Sequence, residues 1–196
     1  MSGSKWLGAC AGLALACSMS SPVMAQQSGF YVGGSLGQSE ASGFCSDLRS
    51  VFTGVSACDE KDTGFKIFAG YQVNRNFAIE GSYVDYGEFT ARATVPPGVL
   101  VTGSADATAF GVAGLGILPV SDRFSLFGKV GLLMTDIGAT VSGGGVVVSE
   151  SDDETGLQFG VGVLFNFTNN IGIRAEWERN DEAEIDMLSA GIQVRF

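Results

Sequence analysis

A chain of 196 residues with 21 acidic and 11 basic side chains, no histidine and a net charge of −10 repels nucleic acid and cannot assemble a serine–histidine nucleophile. The hydrophobic share is 45%, yet beyond the first twenty-five residues no run of about 18 apolar residues occurs, which excludes a membrane-spanning helix. Any crossing of a bilayer has to use strands.

Residues 1–25 read as an export signal. Lys5 supplies the positive start, Trp6 to Cys17 the apolar run, and Val23-Met24-Ala25 the small-residue cleavage site. A lipoprotein signal ending at Cys10 or Cys17 is the rival, but the apolar stretch before Cys10 is short and Leu15 sits poorly ahead of Ala16-Cys17. Residues 26–196 then form one domain. They keep two cysteines, Cys45 and Cys58, which would pair in an oxidising compartment and close a small loop, a stabilisation of about 3 kcal/mol in the chain-entropy account. A metal site is the weaker reading, since no histidine and no second cysteine pair accompany them.

From residue 30 onward the chain alternates bulky apolar residues with glycine or polar ones, which is the period of a strand. The first segment places Phe30, Val32 and Leu36 opposite Tyr31, Gly33 and Ser35. The second, Thr63 to Val73, sets Phe65, Ile67, Ala69 and Tyr71 against Gly64, Lys66, Phe68, Gly70 and Gln72. Asn74-Arg75-Asn76 turns it into a third, where Phe77, Ile79 and Tyr83 oppose Ala78, Glu80 and Ser82. A fourth spans roughly Asp106 to Leu118 and a fifth Phe124 to Thr135, with Leu126, Val130 and Leu132 opposite Phe127, Lys129 and Gly131. In the sixth, Leu157, Phe159, Val161 and Val163 face away from Gln158, Gly160 and Gly162. The seventh carries Ile171, Ile173, Ala175 and Trp177 opposite Gly172, Arg174, Glu176 and Glu178, and the eighth ends the chain at Arg195-Phe196. Eight strands of about ten residues each suit a tilted crossing of hydrocarbon. Three connections are short and the other four are longer, acidic and rich in glycine or serine, the asymmetry of a transmembrane β-barrel.

The two faces decide what kind of barrel this is. A soluble ligand-binding barrel would turn its apolar side chains inward, whereas here the glycine-rich face also holds the charges, which suits a narrow lumen. The predicted fold is an all-β, eight-stranded, antiparallel up-and-down transmembrane barrel. Its predicted lumenal ion-pair network comprises Lys66, Glu80, Lys129, Arg174, Glu176, Glu178 and Arg195, because buried charges persist only when paired. The opposite face is nearly free of charge. Trp177, Tyr71, Tyr83, Phe77, Phe124 and Phe196 fall near strand ends, where interfacial aromatics belong.

Gly70-Tyr71-Gln72-Val73-Asn74, Arg174-Ala175-Glu176-Trp177 and Leu188-Ser189-Ala190-Gly191 leading to Arg195-Phe196 give the mature chain a resemblance to the OmpA-type outer-membrane barrel. The resemblance implies location in the outer membrane of a Gram-negative bacterium. It also implies that Phe196 is part of the signal read by the outer-membrane assembly machinery. Larger relatives continue into a peptidoglycan-binding domain that this sequence does not contain, so cell-wall anchoring is not expected. In the family a lumenal arginine exchanges between one glutamate and a lysine–glutamate pair to open a small pore. Arg174 and Glu80 resemble the arginine and its first partner, but Leu115 and Leu164 stand where the alternative pair would be.

Seventeen of the 21 acidic residues fall in or beside the long connections, among them Asp59-Glu60, Glu150 to Glu154 and Asp181-Glu182-Glu184. Such a surface stays solvated, and it could also hold Ca²⁺ or Mg²⁺ that bridges to lipopolysaccharide phosphates. The expected role is structural or adhesion-like, exercised on a surface partner through acidic external loops, with no enzymatic activity and no cofactor. A narrow, porin-like passage for ions or small solutes, gated by the lumenal salt bridges, is the alternative.

Overall fold

The computed structural model of the chain describes residues 28–43, 45–46, 49, 55–95, 99–143 and 146–196; the expected signal at 1–25 lies outside them. Nine strands follow in order: β1 (Gly29–Ala41), β2 (Val55–Asp59), β3 (Lys61–Gln72), β4 (Phe77–Val95), β5 (Val99–Pro119), β6 (Phe124–Gly143), β7 (Val146–Asn166), β8 (Ile171–Asn180) and β9 (Ile185–Arg195). Each of the eight barrel strands pairs antiparallel with its neighbours, and β1 pairs with both β3 and β9, so the sheet closes. Closure leaves no unpaired backbone where water is absent. Within the described residues β2 is a broken continuation of β3, interrupted at Glu60 and pairing with β4 from Val55↔Ala93 to Asp59↔Thr90. No helix among the described residues is long and apolar enough to cross a membrane.

The three tight turns share one local device. Asn74 Oδ1 accepts from the N–H of Asn76 and Phe77 at 2.8 and 3.0 Å, Ser121 Oγ from Phe124 at 3.1 Å, and Thr168 Oγ1 from Asn170 and Ile171 at 3.2 and 3.0 Å. In each case a short polar side chain takes the donors that a tight reversal leaves free.

Side chains sort as their alternation predicts. Phe30, Leu36, Ile67, Phe110, Val130, Val161, Leu188 and Ile192 are exposed, while Lys66, Glu80, Lys129, Arg174, Glu176 and Glu178 are buried. So much apolar surface is untenable in water and suits hydrocarbon. Aromatic pairs flank this wall at both ends: Phe30–Tyr71 and Phe165–Phe167 near the tight turns, and Phe65–Tyr83, Tyr83–Phe110 and Phe159–Trp177 nearer the other end. Arg179, on the outward face of β8, pairs with Asp186 at 2.9 Å.

Four strands run well past their expected ends. The predicted third to sixth segments, with about ten residues each in prospect, belong to β4–β7, which hold 19 to 21 residues. Together with β2 they stand as a sheet above one side of the rim, while β8 ends at Asn180 and β1 at Ala41. Much of what the sequence presents as external loop is therefore strand. Outside hydrocarbon the outward residues need not be greasy, so the hydrophobic half of the alternation fades. Thr90, Thr102 and Thr140 occupy one face of this upper sheet, with Phe89, Ala105 and Ala139 on the other, and the ladder continues. Where β4 leaves the barrel, a bulge between Asp85 and Glu88 contains Gly87 at φ +83°. A Cβ there would lie 2.5 Å from Asp62 Oδ2, which accepts the Glu88 N–H at 2.6 Å, so glycine is required twice over.

Candidate functional site

The barrel centre is an ion-pair cluster built from four strands. Because β8 alternates, Arg174, Glu176 and Glu178 project inward in one row; β4 supplies Glu80, β3 Lys66 and β6 Lys129. Arg174 grips Glu80 with two nitrogens, Nη1–Oε2 at 2.5 Å and Nη2–Oε1 at 3.0 Å. Its Nη2 and Nε also donate to Glu176 Oε2 at 2.7 and 3.1 Å. Tyr31 Oη donates to Glu80 Oε2 at 3.0 Å. Lys66 contacts both Glu176 and Glu178; Lys129 contacts Glu178 and stands 3.8 Å from Glu176 Oε2. Three cations thus meet three carboxylates, a charge balance that lets all six stay buried.

Aromatic rings clamp this cluster. The Arg174 guanidinium carbon lies 4.5 Å from the centroid of Phe68 and 4.4 Å from that of Phe127. Each ring lies over a glycine on a paired strand: a Cβ at Gly33 would come within 2.3 Å of Phe68 Cζ, and one at Gly162 within 2.3 Å of Phe127 Cζ. Tyr31 lies over Gly70 in the same way. Gly33, Gly70 and Gly162 are therefore the imprint of the rings they face.

Apolar packing occupies both sides of the charges. Toward the tight turns, Tyr31, Phe68, Ala78, Ala113, Leu115 and Phe127 form one cluster. Toward the long connections, Val84, Tyr86, Phe89, Leu133, Ile185 and Met187 are the larger members of another. The sequence reading assigned the inside to small and charged residues and missed these caps. The available signal was the occasional large residue on the glycine face, Phe68 and Phe127 among them.

Six of the seven expected network residues come together. Arg195 does not: it sits at the tight-turn end of β9, belongs to no ion pair among the described residues, and its buried Nε has no hydrogen-bond partner. Being the last residue of the last strand, it shares the lumenal face but lies below the charged layer. Leu115 and Leu164 are buried in the wall beside it. Phe196 is exposed, its N–H bonded to Phe30 O at 2.9 Å. Cys45 and Cys58 form a disulfide with Cα atoms 5.9 Å apart, and the Cys45 N–H donates to Glu60 Oε1 at 2.7 Å. That bond ties the β1–β2 connection to the upper sheet through β2.

The sequence matches the family described as outer membrane protein beta-barrel domain over residues 10–196. No curated protein matches it by sequence. Among solved structures, the chain is similar in fold to Ail, the attachment invasion locus protein of Yersinia pestis, at 23% identity and a TM-score of 0.53, covering 88% of this chain and 100% of that one. Neisserial surface protein A is similar at 19% identity and a TM-score of 0.56, covering 85% and 97%. The N-terminal β-barrel domain of Pseudomonas aeruginosa OprF gives 13% identity and 0.54, covering 86% and 98%. With its greasy outer wall, its sealed strand circuit and a family match that spans nearly all of its length, the chain belongs to the outer membrane protein beta-barrel domain family and resides in the outer membrane of Gram-negative bacteria.

Proposed function

We propose that the protein is a surface-interaction barrel of the OmpA type, non-catalytic, whose lumen is a structural plug and whose working part is the sheet above the rim. The observation that carries this reading is the free edge of β7. Its pairing with β8 begins at Gln158, and Leu157 O accepts the Asp181 N–H at 3.0 Å, so Val146 to Gly156 pair with β6 alone. Exposed edges receive extended segments of other proteins by strand addition. Asp152 and Asp153 are exposed on this edge, and Glu154 follows them.

Their sign selects the partner. Ail was crystallised with the heparin analogue sucrose octasulfate, a polyanion; an acidic edge disfavours such a ligand and favours a cationic extended segment. In this reading residues 1–25 direct export, Phe196 takes part in recognition by the assembly machinery, and divalent cations join the acidic rim to lipopolysaccharide phosphates. The test is attachment of cells that display the protein to host-cell or matrix surfaces. Loss of attachment on D152N/D153N/E154Q, with the barrel intact, supports the proposal; undiminished attachment removes it.

A gated passage for small ions is the second reading, favoured by one observation: Arg174 already bonds two carboxylates, Glu80 and Glu176, and could lean on either. Steady conductance in planar bilayers that changes on R174A or E80A would establish it. Silence supports the plug.

A further inference from the structure

From the register and the cavities at the tight-turn end, we infer that the periplasmic mouth of the barrel is an anion-binding vestibule, whose ligand carries a carboxylate or phosphate group. A cavity of about 590 Å³ opens there, within the size range of small-molecule sites. Three different parts of the chain bring an arginine to its wall: Arg75 from the β3–β4 turn, Arg123 from the β5–β6 turn and Arg195 from the end of β9. The one acidic side chain in the wall is Asp122, and no ion pair among the described residues joins it to an arginine.

The wall also holds unused polar atoms. Arg195 Nε is buried without a partner, and buried Gln72 leaves its Oε1 unbonded while its Nε2 reaches Arg75 O only at 3.5 Å. A buried guanidinium nitrogen without an acceptor carries the desolvation cost of that group, which an incoming oxyanion would relieve. Arg195 and Gln72 line a second, smaller void, about 20 Å³, that they share with Tyr31 and Arg174. The cluster behind them is internally neutralised, so Arg174 has no carboxylate to lend to Arg195.

Charge is polarised along the axis as a result. The external end is acidic, and the tight turns carry Arg75 and Arg123 against Asp122. A guanidinium donates two parallel N–H bonds to paired oxygens, which is why the ligand class is carboxylate or phosphate rather than a halide.

The experiment uses the full protein refolded in a maltoside detergent that brings no phosphate. It is titrated separately with inorganic pyrophosphate and with a short acetylated peptide ending in a free carboxylate, by calorimetry and by NMR shifts of the turn amides. Saturable binding of either probe at about 1 mM or tighter is expected. R195Q and the turn double variant R75Q/R123Q should each weaken it about tenfold, while K61Q at the opposite end leaves it unchanged. Preference for pyrophosphate identifies phosphate as the ligand group; preference for the peptide identifies carboxylate. Should R195Q fail to fold, the exposed turn variant still decides. No saturable binding of either probe, or binding that survives R75Q/R123Q undiminished, overturns the inference.

Discussion

Arg174 and Glu80 lie 94 residues apart in sequence and meet at the barrel centre through two parallel N–H···O bonds of 2.5 and 3.0 Å. Bidentate contact of this kind fixes direction as well as charge. It joins β8 to β4 across the lumen, between strands that share no backbone bonds.

Glu80→Gln should therefore destabilise the barrel by about 3 kcal/mol, since a buried guanidinium loses one of its two carboxylates. Urea unfolding in micelles measures it. The double variant Glu80→Gln with Arg174→Gln should regain much of the loss, and a double-mutant cycle with no coupling would mean the pair contributes nothing specific.

Gly162→Ala introduces a methyl where Phe127 Cζ would stand 2.3 Å away and Ala175 O 2.7 Å away. Overpacking of this kind costs about 1–3 kcal/mol. Trimming the ring as Phe127→Leu in the same chain should recover part of that loss, because the ring is the nearer obstacle. If the alanine is tolerated with the ring in place, the imprint relation between ring and glycine is wrong.

Val161→Arg should cost about 2–4 kcal/mol, the penalty for a cation facing lipid at mid-depth. Placed instead at Val147, on the exposed upper sheet, the same arginine should leave unfolding unchanged. Equal effects at the two positions would contradict the division of the molecule into a lipid-facing wall and a watery sheet.

Reduction of Cys45–Cys58 opens a connection but no barrel ladder. The heat-dependent gel mobility of the folded barrel should persist, while trypsin cuts faster after Arg49 and Lys61. Peptide mapping by mass spectrometry checks this. A collapse of the barrel on reduction would show that the disulfide supports more than the upper sheet.

The eight crossings were legible because hydrocarbon imposes a strict rule on the outward face. Phe65, Ile67 and Tyr71 had to be greasy, and their neighbours Lys66 and Gln72 were thereby assigned inward. Six members of the charge cluster followed from the same parity. Arg195 shared the parity but not the depth, and alternation carries no information about height along the axis. The upper reaches of β4 to β7 were illegible for the complementary reason: where water lies on the outside, Thr102, Ser104 and Asp106 satisfy the strand as well as any apolar residue. Ring-on-glycine pairing was hidden too, since it depends on register between strands far apart in sequence, as between Gly33 and Phe68.

The seam between β1 and β9 brings Tyr31 opposite Arg195, so the first and last strands meet across the longest sequence separation in the barrel. Closing it fixes the longest stretch of intervening chain, whereas β6 and β7 zip from a short reversal. Among the barrel ladders, joining β9 to β1 therefore carries the largest loop-closure cost. Without that seam both margins would present a row of unpaired N–H and C=O groups, which is what makes an open sheet a template for unwanted pairing.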